Sequence, residues 1–467
     1  MSSAAAPGSD ILEHLDSSKI TRLHWKIMFI SGMGFFTDAY DLFIIGVVMS
    51  LLKQEWHIQP FAEGLVTSTA LLASAVGAIL FGRIADMLGR KRIYGYEVLV
   101  LAAGAIASAL SPNIWWLIFF RVILGIGIGG DYPVSSTIMS EYAGKKSRGM
   151  MVSLVFAMQA AGLIFGPLLA AAFLATGISH DLVWRILLAF GAVPALAVFQ
   201  MRRQMAETPR YLLASGQHQA FQEACSGVLG RSVPNAAAES AAVVKEPFWK
   251  GFKILLAQPT FLTRLVGASL AWFLMDFAYY GNTVSSPLVL AAISPKKDIM
   301  SHTLMQLAVF AIAAAPGYFV AAAMMDQIGR KSIQVIGFAM MAAAFAAIAL
   351  IPDVDKLIVP FLIVYGISYF FTEFGPNATT FVYPAEIFPV KARTTGHGIA
   401  AATGKLGGFL GVFLFPIFMS WHGLFSAELA AAIASIFGIV VTLTMLPETK
   451  GKSLEELSAE TSALASG

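Results

Sequence analysis

Asp86-Met87-Leu88-Gly89-Arg90-Lys91 returns 240 residues later as Asp326-Gln327-Ile328-Gly329-Arg330-Lys331, and each copy lies between two long apolar runs. Other landmarks repeat at nearly the same offset. Glu141…Arg148 matches Glu386…Arg393 at 245, Glu207-Thr208 matches Glu448-Thr449 at 241, and Phe36-Thr37-Asp38 matches Leu274-Met275-Asp276 at 238. A chain whose charged punctuation recurs in step with its hydrophobic pattern reads as two membrane half-bundles in tandem. Parallel halves of this kind are the architecture of a rocking transporter. The expected fold class is all-α integral membrane, with about twelve transmembrane helices in two six-helix halves.

Composition agrees. Hydrophobic residues make up 57% and charged residues 13%, against about a quarter charged in a soluble domain. The apolar runs exceed the roughly 18 residues that mark a spanning helix. The net charge of +3 points to no particular partner. Nucleic acid is not expected, because there is no basic face and no aromatic-basic interleaving. The single cysteine, Cys225, excludes an intramolecular disulfide and reads as a small residue in a polar segment. Neither a metal cluster nor a cofactor motif is present, and no nucleophile or phosphate-cradling loop argues for an enzyme.

Length and hydropathy place twelve spans, from 26–51 at the start, with the seventh at 261–291, to 425–446 at the end. The expected organisation is an N-terminal tail over 1–25, a first bundle over 26–201, a linker over 202–260, a second bundle over 261–446 and a C-terminal tail over 447–467. The linker is long enough for one or two surface helices. Loops after spans 2, 4, 8 and 10 carry eleven lysines and arginines, and the loops on the other side carry four. Positive charge stays inside, so both termini and the linker are expected in the cytoplasm and the protein in the plasma (inner) membrane, as a multi-pass transport unit that is monomeric. Gly125, Gly127, Gly129 and Gly130 precede Asp131 in span 4. They read either as close helix packing or as a thin wall beside a cavity.

Ionisable residues inside spans carry the functional signal, because a charge there costs several kcal/mol unless it faces a cavity or a partner. Six carboxylates qualify, Asp38, Asp41, Glu97, Asp131, Asp276 and Glu373, but only two bases, Arg121 and Lys405. Pairing cannot neutralise them all, so some acids must be protonated, hydrogen-bonded or in water. Proton coupling is the expected consequence. Trp272, Asp276 and Tyr280 fall four apart and share one face of span 7; Asp38 and Asp41 share a face of span 1. Gln159 and Asn377 add amides at similar depth. Each amide alone suits an interhelical hydrogen bond, but the set together suits a midplane substrate site. In the repeated loops, Asp86 and Asp326 are expected to pair with Arg148 and Arg393, and with Arg90 and Arg330 nearby to form a gating latch on the cytoplasmic side.

These residues resemble the major facilitator superfamily over essentially the whole chain. Gly82-Arg83-Ile84-Ala85-Asp86-Met87-Leu88-Gly89-Arg90-Lys91-Arg92 is similar to its signature, and Pro447-Glu448-Thr449-Lys450-Gly451 to the end of its sugar-porter branch. Phe35-Phe36-Thr37-Asp38-Ala39-Tyr40-Asp41, Gly129-Gly130-Asp131-Tyr132-Pro133 and Phe374-Gly375-Pro376-Asn377-Ala378-Thr379-Thr380-Phe381 resemble the phosphate:proton symporter family. The resemblance implies a phosphate site of Tyr132, Gln159, Trp272, Asp276, Tyr280 and Asn377, with Lys405 as its cation. It implies a proton route through Asp38, Asp41 and Asp131, with Arg121 and Glu97 adjoining, and Asp276 as the coupling acid. Glu373 stands where the resemblance leads one to expect an amide, and the linker is shorter than in fungal and plant members. Alternatives are a proton-coupled symporter of an organic anion or a sugar on the same scaffold, and a nutrient sensor that binds without translocating. Span 7 lacks the paired glutamines associated with sugar porters.

Overall fold

The computed structural model describes residues 9–229, 247–351, 353 and 356–458. The first eight residues of the expected N-terminal tail, linker residues 230–246 including Lys245, and tail residues 459–467 lie outside the described residues. Twelve helices are long and apolar enough to cross a membrane. Spans 1 to 6 are Arg22–Lys53, Pro60–Leu88, Arg90–Ala109, Ile114–Tyr142, Arg148–Ala175 and His180–Arg202. Spans 7 to 12 are Pro259–Val284, Ile299–Ile328, Arg330–Leu350, Ile358–Ile387, Val390–His422 and Leu424–Met445. Span 7 stops earlier than its apolar run suggests. Pro287 lacks an N–H and its ring clashes with the preceding turn, so Ser286–Ile293 forms a separate short helix. Between the halves, three short helices occupy Pro209–Ala214, His218–Leu229 and Lys250–Ala257.

The repeated motif turns the chain sharply. Gly89 and Gly329 sit at φ +99° and +101°, a region that side chains with a Cβ avoid. Each glycine ends one span and lets the next begin within a residue. The new helix starts are then capped from a distance. Glu207 accepts from Lys91 N (3.1 Å), and Glu448 accepts from Arg330 N and Lys331 N (3.0 and 3.1 Å). A carboxylate at a helix N-terminus meets both free N–H groups and the positive end of the dipole. The repeated Glu-Thr pairs of the sequence are therefore caps for the repeated Gly-Arg-Lys turns.

Small residues set how closely the spans approach. A Cβ on Gly129 would lie 2.0 Å from Ser74 O, and one on Gly125 would lie 2.2 Å from Ala70 O. Spans 2 and 4 thus touch backbone to backbone, and the glycines of span 4 serve packing. Spans 7 and 11 repeat the device through Gly407 and Gly411 against Phe273 O and Phe277 O. Between the halves, Gly398 lies against Ala78 O. Cys225 is fully buried, and burial pushes its thiol up to about 12, so it is inert packing.

Gly129→Leu should destabilise the bundle by about 1–3 kcal/mol or more, because the clash is with a backbone carbonyl that cannot rotate away. Thermal unfolding of detergent-purified protein reads this, and an unchanged midpoint would refute the backbone contact.

Candidate functional site

Lys405 lies at the centre of the molecule, 1% exposed. Its ammonium donates to Asp276 Oδ2 at 3.1 Å and to Tyr280 Oη at 2.8 Å, and it stands 4.1 Å from the centroid of the Tyr132 ring. Gly404, beside it, has no side chain because the Trp272 indole fills that space. The indole also faces the Asp276 carboxyl. From Tyr280 the polar chain crosses to the N-terminal half: Tyr280 and Tyr132 hydroxyls lie 3.2 Å apart, and Gln159 Nε2 donates to Tyr132 Oη at 3.2 Å. It then returns. Tyr318 Oη donates to Gln159 Oε1 and receives from Asn377 Nδ2, both at 3.1 Å, and Asn377 also donates to Glu373. The structure thus gathers Tyr132, Gln159, Trp272, Asp276, Tyr280, Asn377 and Lys405 into one cluster on the interface between the halves. Tyr318 belongs to it as well. A lone tyrosine in an apolar run gave no signal for that.

The N-terminal carboxylates are arranged differently from the expectation. Glu97 does not adjoin Arg121. It pairs with Arg202 Nη1 at 2.7 Å, and Arg202 Nη2 holds both oxygens of Asp131 at 2.7 Å. The planar fork of one guanidinium spans two carboxylates, which a lysine cannot do. Arg202 is fully buried and is a third base within the bundles. At the last position of span 6 it reads as an ordinary flanking charge, and only the bend of span 6 toward Gly34 brings it inside. A Cβ on Gly34 would lie 2.0 Å from Arg202 Nη2 and 1.8 Å from Asp131 Oδ2. Arg121 lies beside Asp41 and donates to its backbone carbonyl at 3.4 Å. Asp38 lies within electrostatic reach of Asp41, of the Asp131–Arg202 pair and of Lys405, so it links the two clusters. Glu428 is a further fully buried acid that the span count missed; Asn282 Nδ2 donates to it at 3.5 Å.

On the face that bears the termini, a latch is closed, but its pairing is not Asp86 and Asp326 with Arg148 and Arg393. Each aspartate instead caps a helix of the opposite half. Asp86 accepts from Thr395 N (2.7 Å) and Thr395 Oγ1 (2.6 Å); Asp326 accepts from Gly149 N (3.1 Å) and Met150 N (2.8 Å). The arginines find other acids. Arg90 and Arg393 both reach Glu141, at 3.1 and 3.0 Å, Arg330 reaches Glu386 at 2.6 Å, and Arg148 reaches Asp16 at 2.8 Å. An N-terminal helix is the better partner for an aspartate already paired locally, since it offers aligned N–H donors. Beyond the latch, Arg210 bridges Asp16 and Glu455. Burial pushes the Glu455 carboxyl up, but Arg210 beside it, helped by Arg393, holds it down at about 2.

Aromatic rings close the centre from both directions. Phe156 and Phe381 stack at 4.6 Å toward the termini-bearing face, and Phe43 stacks on Tyr280 at 5.4 Å toward the opposite one. Beyond Phe43 lies a vestibule of about 760 Å³, lined by Ser50, Lys53, Glu63, His180 and Lys297 among others. The arrangement is that of a polar, singly cationic chamber between two half-bundles, sealed on one face and separated from a vestibule on the other by one aromatic layer.

Residues 27–460 match the family described as sugar (and other) transporter. The chain belongs to this transporter family, within the major facilitator superfamily. It is 38% identical to inorganic phosphate transporter 1-4 of Arabidopsis thaliana, with 96% of each chain covered. It is 36% identical to inorganic phosphate transporter 1-1 of Oryza sativa subsp. japonica, covering 97% of this chain and 96% of that one. Its fold matches the proton:xylose symporter XylE bound to 6-bromo-6-deoxy-D-glucose with a TM-score of 0.77 at 21% identity, covering 95% of this chain and 99% of that one. A partially occluded inward-open form of XylE from E. coli matches at 0.76, with 18% identity and 93% and 100% covered. In this transporter the latch and the aromatic layers are therefore the parts that two rocking halves would make and break.

Arg202→Met should cost about 3–5 kcal/mol of stability, because it strands Glu97 and Asp131 without their buried partner. A melting temperature equal to that of the parent would show that these acids do not depend on Arg202.

Proposed function

We propose that the chain is a secondary active transporter that carries inorganic phosphate together with protons by alternating access. The observation that carries this reading is the fully buried Lys405 ammonium, held by Asp276 and Tyr280 between the halves. Removing one partner of a buried pair costs about 3–5 kcal/mol, because the other charge is left uncompensated. If Asp276 takes up a proton, Lys405 needs another anion, and a phosphate oxygen supplies it. Tyr132, Tyr280, Trp272, Gln159 and Asn377 offer neutral donors to the remaining oxygens. Proton and anion therefore enter together. After the site opens to the other side, loss of the proton lets Asp276 reclaim Lys405 and repel the phosphate. The coupling is a charge balance around one lysine.

Asp38, Asp41 and Asp131 form the proton route on this reading, with Glu97, Arg202 and Arg121 setting their charge. The capped and ion-paired latch of Asp86, Arg90, Arg148, Asp326, Arg330 and Arg393 is the inner gate. The excess of lysine and arginine on the termini-bearing face supports a cytoplasmic location for both termini, in a plasma or inner membrane, with one chain as the transport unit. Relatives described as inorganic phosphate transporters support the substrate. A sugar would leave Lys405 without a reason to be there, so the buried cation favours an anion.

Proteoliposomes with an imposed inward proton gradient should accumulate radiolabelled phosphate, and a protonophore should collapse the accumulation. Accumulation that survives the protonophore would refute symport, and uptake of an organic anion in preference to phosphate would change the substrate.

Lys405→Ala should weaken phosphate binding by about 2 kcal/mol or more, some thirtyfold. Asp276→Asn keeps the shape of the protonated acid and a donor. It should retain binding yet lose the pH dependence of affinity between about pH 5 and pH 8, where an amide cannot titrate. Calorimetry on both variants checks this; a parent-like pH profile in Asp276→Asn would move the coupled proton to Asp38, Asp41 or Asp131.

A further inference from the structure

Glu373 has no role in the account above, yet it sits at the edge of the same chamber. Span 10 widens there into a π-turn over Glu373–Asn377, and Gly375 leaves helical geometry at φ −98°, ψ −114°. Turns of this kind gather at functional sites. A Cβ on Gly375 would lie 2.3 Å from Gly337 Cα of span 9, so the widened turn is wedged in place. The Glu373 side chain is fully buried. One oxygen accepts from Asn377, a member of the phosphate site; the other makes no hydrogen bond of good geometry.

Its surroundings are known from every side. Span 7 presents Asp276 and the Tyr279 hydroxyl, and span 8 presents the Tyr318 hydroxyl. Span 9 presents Gly337 to this turn, with no titratable group, and Tyr369 lies one helical turn back in span 10. Among the described residues no lysine or arginine pairs with Glu373, and Lys405 is already engaged by Asp276 and Tyr280. An ionised carboxylate buried without a cation is too costly to persist. In this closed state the acid is therefore neutral. When the chamber opens to water, that constraint lifts.

We propose that Glu373 is a second proton-binding group of the substrate chamber, loaded and unloaded once per cycle. Each phosphate then moves with one proton more than Asp276 and the N-terminal route supply. In the outward-open state a solvent proton adds to the Glu373 carboxylate. In the inward-open state the same O–H bond breaks and the proton leaves to water on that side. With Asp276 and Glu373 both neutral, the chamber keeps the single positive charge of Lys405, which suits a phosphate monoanion. This inference rests on the phosphate symport reading.

The test compares the parent with Glu373→Gln in proteoliposomes, by phosphate accumulation at equilibrium across a series of imposed pH gradients. Each coupled proton contributes about tenfold accumulation per pH unit. The variant should therefore accumulate about tenfold less phosphate per unit of gradient, while phosphate counterflow, which needs no net proton movement, persists. Equal accumulation by parent and variant overturns the proposal. Absence of phosphate counterflow in the parent instead overturns the symport reading itself, so the two failures are distinct. Glu373→Asp keeps an acid and should keep the parent slope; a slope lowered as in Glu373→Gln, with counterflow intact, would show that shape alone matters. If Glu373→Gln folds but does not exchange phosphate, infrared difference spectroscopy decides. The carboxylic-acid carbonyl band lost in that variant must be present in the parent at the pH of uptake and must disappear at higher pH. Its absence at every pH, or its persistence at every pH, overturns the proposal.

Discussion

A lysine ammonium buried against one carboxylate, between two helical bundles, is the constraint on which the rest of this molecule depends. Lys405 and Asp276 cannot separate in a low-dielectric interior unless something replaces the lost partner. The two residues come from spans 11 and 7, which lie backbone to backbone through Gly407 and Gly411, so their distance is set by helix packing and not by flexible side chains. Around them, phenols and amides from both halves complete a hydrogen-bonded chain that crosses the interface twice. A ligand that inserts into that chain necessarily contacts both bundles. Its binding energy is then available to the relative position of the halves.

The termini-bearing face shows how that position is held. The contacts there are of two kinds, and they act together. Aspartates of one half cap helices of the other, and glutamates at the ends of spans 4 and 10 gather the arginines. Glu207 and Glu448 cap the helices that begin after the two Gly-Arg-Lys turns. The same motif therefore shapes a tight turn, supplies the aspartate cap and delivers the arginine, once in each half. Ion pairs and helix caps of this type are directional, so they hold one relation of the halves and give way together when it changes.

The N-terminal bundle carries its acids differently. Arg202 neutralises Glu97 and Asp131 with one guanidinium, leaving Asp38 and Asp41 with unpartnered oxygens beside them. Asp38 lies between that triad and Lys405. The acids that lack a full set of partners are thus those that connect the two clusters. Glu373 and Glu428 show the same condition in the C-terminal bundle, each with one oxygen unpartnered.

Much of this was legible in the sequence because it depends on local periodicity. Twelve spans follow from the length of apolar runs, the two halves from the recurrence of Asp-x-x-Gly-Arg-Lys, and the shared face of Trp272, Asp276 and Tyr280 from spacing by four. Tertiary structure alone decided the partners. Arg202 reads as a flanking charge until span 6 bends it against Gly34, and Tyr318 reads as one more apolar residue until Gln159 and Asn377 meet it. Asp86 and Asp326 look like ion-pair partners for distant arginines, yet helix N-termini from the opposite half reach them first. Helical periodicity is a property of a few neighbouring residues and can be read along the chain. The choice of partner for a buried charge depends on which helices arrive, at what depth and with which end, and that is settled only when the halves pack.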